Sequence, residues 1–186
     1  MGGEWEGDPV VTGADPHWLP ERKSAGVSFE LDLSRYGQQA RRTTMLTKIK
    51  EFVEEYRFLS NFWPAKVSYD GIAYPTTEHA FQAAKTLDFG QRWEISQLAT
   101  PGQAKRAGRK LPLRPDWDQV KDQIMLELTI LKFMNHRKLK EALLATGTAE
   151  LIEGNNWGDA YWGVVKGQGG LNHLGKILML VRGQLR

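Results

Sequence analysis

Residues 74–85, YPTTEHAFQAAK, place an acid and a lysine at a spacing that could serve catalysis. Pro75 disfavours helix before it and a following threonine can cap one, so Glu78 falls in a first turn, where the helix dipole favours a carboxylate. Glu78 and Lys85 are two helical turns apart and share one face, at roughly 10 Å of axial rise. This distance is too long for a direct i, i+4 ion pair, but a ligand between the two groups could contact both. Either the pair is half of an active site, or Glu78 only stabilises the helix start.

The segment 155–163, NNWGDAYWG, combines turn-forming Asn and Gly with three large aromatic residues and one acid, Asp159. Exposed aromatic side chains on a loop are costly unless they bind a ligand or are covered. Aromatic planes beside hydrogen-bonding groups suit a flat heterocycle, such as a nucleobase or a pteridine-like ring. The alternative is a loop folded back so that its tryptophans fill the core.

A glycine-rich stretch, residues 167–176, precedes the last helical pattern. Gly170 to Lys176 spells G-x-x-x-x-G-K, the start of a Walker loop, but Ile177 replaces the Ser or Thr that would hold magnesium, and no apolar strand precedes it. A dinucleotide fingerprint is also excluded, because Asn172 stands where its final Gly belongs and no βαβ unit surrounds it. What remains is a turn at a helix N-terminus that can offer backbone N–H groups to an anion.

Positive charge is concentrated in one strip. Residues 1–50 hold seven basic and seven acidic side chains, so the net charge of +3 arises beyond them. Residues 105–114 carry five Lys or Arg and no acid. This strip indicates either a phosphate-bearing ligand or a solvated helix face.

Composition limits the chemistry that the chain can perform. With 186 residues and 41% hydrophobic content, one domain with a sizeable core is expected. Cysteine is absent, which excludes disulfides and thiolate nucleophiles, and the four histidines lack the spacing of a metal site. We therefore expect no metal and no cofactor. The N-terminal residues do not resemble a signal peptide, and the longest apolar run, 177–181, is too short for a membrane span, so a soluble cytoplasmic protein is expected.

Hydrophobic periodicity predicts an α+β, predominantly helical single domain with a few short strands near the N-terminal third. Strands are predicted at 27–33, 45–53, 65–69 and 72–74. Helices are predicted at 77–87, 90–98, 101–109, 117–135, 137–145 and 173–184.

Six blocks in this order resemble the signatures of the NADAR (YbiA-like) family. They are residues 58–62, 74–85, 104–109, Trp117, 159–163 and 170–175. The resemblance implies that 49–186 is the catalytic domain and that 1–48 is an N-terminal extension, partly extended or strand-forming. The resemblance implies a YbiA-like fold and hydrolysis of an N-glycosidic bond between a guanine-derived base and a phosphorylated ribose. Two substrate types are implied: ADP-ribosyl-guanine in DNA or RNA, and phosphorylated intermediates of riboflavin biosynthesis.

The resemblance also implies a set of site residues. Glu78 and Lys85 match the family's acid and lysine, and Asp159 its loop carboxylate; these three are the predicted catalytic residues. The predicted substrate-binding residues are Asn61, Phe62, Arg109, Trp117, Tyr161, Trp162, Gly170 and Asn172.

Breaking a ribosyl C1′–N bond requires a proton for the departing nitrogen and stabilisation of positive charge at C1′. Either Glu78 or Asp159 can supply the proton while the other stabilises the sugar cation. We further hypothesise that Lys85 attacks C1′ and forms a Schiff base, with Glu78 as proton shuttle and Trp117 or Trp162 stacked on the base.

Two other function classes remain open at this point. A non-catalytic module binding ADP-ribose or an NAD-like ligand could use the same aromatic loop and glycine-rich turn, although binding alone does not require both Glu78 and Lys85. A nucleic-acid-binding module built on the basic strip is disfavoured by the modest net charge. No membrane partner is expected, and the oligomeric state is open.

Overall fold

The computed structural model describes residues 48–186. The predicted strand at 27–33 and residues 45–47 of the second predicted strand lie outside the described residues, as does nearly all of the expected extension. In the described part of the second predicted strand, strand β1 covers Lys48–Ile49.

The elements that follow β1 alternate between short strands and longer helices. They are a 3-10 helix at Glu54–Leu59, β2 (Val67–Tyr69), β3 (Ile72–Tyr74), α1 (Thr77–Ala83), α2 (Phe89–Ser96), α3 (Pro101–Gly108), α4 (Trp117–Asn135), α5 (Arg137–Ala145), β4 (Glu150–Leu151), β5 (Gly154–Asn155), β6 (Val164–Val165) and α6 (His173–Gln184). The described residues thus form a mostly helical α+β fold, which confirms the predicted fold class.

The strands form three separate two-stranded ladders. β1 pairs with β4 in parallel, β2 with β3 antiparallel, and β5 with β6 in parallel. The β2–β3 hairpin turns at Asp70 and Gly71, whose φ angles of 48° and 79° match the positive values of a two-residue hairpin turn. The strands β4 to β6 were not predicted, because two-residue strands carry no detectable alternation.

Threonine side chains cap the N-termini of helices α1 and α3. The Thr76 hydroxyl accepts a hydrogen bond from the His79 backbone N–H, and Thr100 forms a capping box with Gln103 at the start of α3. Helix α1 ends at Ala83 rather than at the predicted 87, so Lys85 lies in the turn after the helix. The predicted bounds of α4, α5 and α6 agree with the structure.

Helix α4 is the centre of the packing and contacts α1, α5, α6 and β2. Its Leu128 and Phe133 are fully buried, as are Leu151 of β4 and Val181 of α6. This apolar interior fixes α1 and the loops around β4 to β6 relative to one another. Among the helices of residues 48–186, none combines the length and the apolar character that crossing a bilayer requires.

Candidate active site

A cavity of about 880 Å³ is lined by side chains of α1, α3 and α4, the segment after the 3-10 helix, and the loops around β5. Seven of the predicted site residues line it: Asn61, Phe62, Glu78, Lys85, Arg109, Asp159 and Trp162. All three predicted catalytic residues are therefore brought together in one space.

Glu78 lies in the first turn of α1 and is only 6% exposed. Its backbone N–H donates to the carbonyl of Asn61 (3.0 Å), and its Oε1 accepts from Gln82 Nε2 (2.8 Å). Burial raises the pKa of the Glu78 carboxyl, opposed by the Gln82 hydrogen bond and by the positive charges of Lys105 and Lys85. Glu78 is thus poised to exchange a proton.

Lys85 is half-buried in the turn after α1. Burial lowers the pKa of its ammonium group; the charge of Glu78 opposes this, and the nearby Arg109 and Lys105 lower the pKa further. Its Nζ lies 5.9 Å from the ring centroid of Trp117. A lysine with a lowered pKa has a larger fraction of neutral, nucleophilic amine at neutral pH.

Asp159 is held by the loop between β5 and β6. Its Oδ1 accepts hydrogen bonds from the backbone N–H groups of Tyr161 (3.2 Å) and Trp162 (2.9 Å). The Asn155 side chain closes the loop, because Nδ2 donates to the Asp159 carbonyl (2.8 Å) and Oδ1 accepts from the Asp159 N–H (3.1 Å). The loop is therefore a fixed turn that presents Asp159 to the cavity.

The structure contains both arrangements that the sequence of the aromatic loop, residues 155–163, suggested: one tryptophan packs against the core and another is exposed. Trp162 packs edge-on against Phe81, with ring centroids 5.3 Å apart, whereas Trp157 is 59% exposed. Lys105 Nζ lies 5.7 Å from the ring centroid of Phe62 and 5.8 Å from that of Trp157. All of these residues line the cavity, which gives it an aromatic wall and an aromatic rim around one cation.

The basic strip, residues 105–114, also contains both predicted kinds of residue: some line the cavity and others are exposed to solvent. Lys105 and Arg109 line the cavity, whereas Arg106 and Lys110 are exposed outside the cavity lining. Arg114 forms a two-pronged hydrogen bond to Asp116. Lys105 on α3 and Arg109 at the C-terminal end of this helix thus supply positive charge to the site. The other basic residues of the strip lie outside the cavity lining.

Four predicted substrate-binding residues do not line the cavity. Trp117 packs behind Phe81, with ring centroids 5.2 Å apart. The Tyr161 ring stacks on His173 at 4.4 Å, and its hydroxyl donates to Asp122 (2.8 Å).

The other two of these residues belong to the glycine-rich turn. A Cβ atom at Gly170 would collide with the carbonyl of Gly163, so this glycine allows two loops to approach closely. Asn172 adopts a left-handed φ of 55°, and its side chain accepts from the Glu153 N–H (3.0 Å) and donates to the Leu151 carbonyl (2.9 Å). In this geometry all four residues support the cavity walls.

Sequence reasoning missed Glu153, which lies between β4 and β5 and lines the cavity. Burial, together with the charge of Asp159, raises its pKa to about 7. Its Oε2 atom is shielded from solvent and has no hydrogen-bond partner within the described residues. No local pattern marks this residue, because its proximity to the site depends on loops that meet only in the folded chain.

Lys132 of α4 was also missed. The side chain is 1% exposed, and its Nζ donates to the carbonyls of Phe58 (2.5 Å) and Ser60 (2.8 Å). Burial lowers its pKa to about 7, although the charge of Glu153 opposes this shift. Lys132 therefore fixes the segment that carries Asn61 into the cavity.

Known proteins share this architecture and sequence. The NADAR domain matches residues 47–186. The N-glycosidase YbiA of Escherichia coli (strain K12) is 45% identical over 136 residues, which is 71% of this chain and 83% of that protein. An N-glycosidase of Nostoc punctiforme is 41% identical over 138 residues, covering 72% of this chain and 88% of that protein.

A riboflavin biosynthesis protein of Vibrio vulnificus is 35% identical over 135 residues, which is 72% of this chain but 36% of that longer protein. The NMR structure of E. coli YbiA superposes with a TM-score of 0.68 at 40% identity, covering 78% of this chain and 89% of that one. The match over residues 47–186, together with these relatives, shows that the chain belongs to the NADAR domain family.

Proposed function

We propose that this protein is an N-glycosidase that hydrolyses the bond between C1′ of a phosphorylated ribose and a nitrogen of a guanine-derived base. The observation that carries the proposal is the presence of Glu78, Lys85 and Asp159 in the lining of one cavity. The pKa of Glu78 is raised and that of Lys85 is lowered, so each group is moved toward the protonation state that acid–base and nucleophilic chemistry use. Relatives named N-glycosidases support the same activity.

The cavity chemistry fits such a substrate. Its volume of about 880 Å³ suits a nucleotide-sized ligand. Lys105 and Arg109 supply cations for phosphate, and Trp162 supplies an aromatic ring in the lining for the base. We assign the catalytic function to residues 49–186, which the family match supports.

The mechanism divides into departure of the base and release of the sugar. Lys85, as the neutral amine, attacks C1′ while the C1′–N electron pair leaves with the base, which takes up a proton. Opening of the ribose ring gives a Schiff base between C1′ and Lys85 Nζ, and water then adds to C1′ and frees the lysine. Glu78 takes the proton from the Lys85 amine and returns it, and Asp159 stabilises positive charge at C1′.

The first experiment compares two substrate types on purified protein. DNA ADP-ribosylated on guanine and the phosphorylated riboflavin precursors are incubated in parallel, and released base or sugar is followed by mass spectrometry. Glu78→Gln and Lys85→Ala serve as inactive controls. Release from the DNA alone assigns reversal of a nucleic-acid modification, and release from the precursors alone assigns a metabolite glycosidase.

Absence of release from both substrates would contradict the proposal. If the ligands still bind in that case, the alternative is a non-catalytic module for ADP-ribose or an NAD-like ligand. The exposed aromatic rim of Phe62 and Trp157 around Lys105 is the observation that favours this alternative, since it could bind such a ligand without chemistry.

A further inference from the structure

The Glu153 carboxyl occupies a constrained position in the cavity that the mechanism above does not use. Its backbone is fixed twice, because its N–H donates to the Asn172 side chain (3.0 Å) and its carbonyl accepts from the Val164 N–H (2.9 Å). A Cβ atom at Gly163 would collide with the Glu153 carbonyl. Only glycine therefore allows this approach, and the Glu153 backbone is fixed by Asn172 together with Gly163 and Val164.

The Glu153 Oε2 atom is buried and has no hydrogen-bond partner among residues 48–186, although the side chain lines the cavity. A buried polar atom without a partner destabilises the folded protein, so most such atoms are satisfied by protein, water or ligand. Because the Glu153 side chain lines the cavity, a rotation of its carboxyl group would bring this oxygen to a bound substrate, which could supply the hydrogen bond.

Charged groups from four elements face Glu153. They are Asp159 from the loop between β5 and β6, Lys105 from α3, Lys132 from α4 and Glu78 from α1. The two carboxylates and burial favour the neutral acid, and the two lysines favour the charged form. The balance raises the Glu153 pKa to about 7, where an acid can both give and regain a proton near neutral pH.

The mechanism proposed above leaves one proton transfer without a donor. Glu78 exchanges its proton with the Lys85 amine, so a different acid in the cavity lining can serve the departing base, and Glu153 lines the same cavity. We propose that Glu153 is a further catalytic residue, which donates the proton to the leaving nitrogen. This inference rests on the proposed N-glycosidase function.

Proton transfer from Glu153 accompanies departure of the base. As the C1′–N bond breaks, its electron pair stays on the nitrogen, and the Glu153 O–H proton moves to the base, which leaves as neutral base-H. The Glu153 carboxylate then takes a proton from the water that adds to C1′, which restores the acid. The net reaction consumes one water and gives the free base and the free sugar.

A leaving group that needs no proton tests this role. A 4-nitrophenyl riboside 5-phosphate releases a stable nitrophenolate anion, whereas a guanine-derived base requires protonation. Glu153→Gln should lower kcat/KM for the base substrate by about 100-fold or more, in the range of general acid catalysis. For the nitrophenyl substrate the loss should be only a few-fold, because no acid is required.

The pH profile is the second readout. For the base substrate, kcat/KM of the unmodified protein should fall as pH rises through about 7, since the acid form of Glu153 is lost. Glu153→Gln should remove this limb, and Glu153→Asp should retain it at lower activity. Glu150→Gln is the matched control, because Glu150 lies three residues away, pairs with Lys48 at the surface and does not line the cavity.

The outcomes separate this inference from the proposed function. If the unmodified protein cleaves the base substrate and Glu153→Gln retains both its rate and its alkaline limb, Glu153 is not the acid and the N-glycosidase function stands. Equal losses on both substrates would also overturn the inference and indicate a structural role. If the unmodified protein cleaves neither substrate, the function and the inference fail together. Should Glu153→Gln not fold, Glu153→Ala, which also lacks the acid proton, gives the same comparison.

Discussion

Gln82 and Glu78 lie one turn apart on α1 and are joined by a 2.8 Å hydrogen bond from Gln82 Nε2 to Glu78 Oε1. Gln82 in turn lies directly against Gly108 of α3, where a Cβ atom would collide with Gln82 Oε1 and approach Gln82 Cβ to 2.8 Å. The position of the candidate catalytic glutamate thus depends on the absence of a side chain on a different helix.

Gly108→Ala should therefore impair activity without changing any ionisable group. The added methyl group displaces Gln82, which removes the hydrogen bond to Glu78, and overpacking of this kind costs about 1–3 kcal/mol of stability. We expect a lower kcat and a lower free energy of unfolding, measured by steady-state kinetics and by denaturant titration.

The matched control for this change is Gly102→Ala on the same helix, where the nearest atom to an added Cβ is Arg106 Nη1 at 3.8 Å. This variant should keep full activity and gain roughly 0.5–1 kcal/mol from helix propensity. Similar losses in both variants would show that α3 tolerates no added methyl group and that Gln82 is not the cause.

Lys85 should be trapped as a covalent adduct during turnover. Borohydride reduces a Schiff base to a stable secondary amine, so the protein mass should increase by the reduced sugar phosphate when substrate is present. Lys85→Ala should give no adduct, and Lys110→Ala, which changes an exposed lysine outside the cavity lining, should give the normal amount. An adduct that persists in Lys85→Ala, or no adduct with active protein, would leave Lys85 with an electrostatic role.

Arg109 and Arg106 provide a comparison of two neighbouring cations. Arg109 lines the cavity and Arg106 does not. Arg109→Gln should raise KM about ten-fold for a phosphorylated substrate, since a hydrogen bond to a charged group contributes about 1.5–3 kcal/mol. It should also shift the pH dependence of Lys85 trapping upward, because the charge of Arg109 lowers the Lys85 pKa. Arg106→Gln should change neither quantity, and equal effects of the two variants would indicate a long-range field.

The Glu153 carboxyl should make the free energy of unfolding decrease as the pH rises. Its folded-state pKa of about 7 lies above the ordinary 4.5, so the folded state binds the proton more tightly. The resulting stabilisation is complete below about pH 4.5 and is lost as pH rises through about 7, a change of about 3 kcal/mol.

The difference in free energy of unfolding, Glu153→Gln minus unmodified protein, should therefore increase from pH 4.5 to 7.5 in denaturant titrations. Glu94→Gln, which removes an exposed carboxyl of α2, is measured beside it as the control for the loss of one negative charge. A flat difference for Glu153→Gln would mean that folding does not change the affinity of the Glu153 carboxyl for its proton.

The structural features that the sequence predicted correctly are those set by residues close together in the chain. The bounds of α4, α5 and α6 follow from helical periodicity over nine or more residues and agree with the structure. Thr76 and Thr100 cap helices through contacts three residues away, which the sequence alone specifies. By contrast, the strands β4 to β6 have only two residues each and form through pairing with segments outside their immediate neighbours, so they were not predicted.

The sequence by itself determined which chemistry-bearing side chains the chain carries, and its six ordered blocks indicated the family. Only the tertiary structure decided how they meet: it placed Lys85 in a turn rather than on α1, and it brought Asp159 and Glu153 to the same cavity as Glu78. It also set their pKa shifts, because burial and neighbouring charges depend on residues far apart in the chain. Trp117, Tyr161, Gly170 and Asn172 were recognisable as motif residues, but their supporting positions follow from packing that no local pattern encodes.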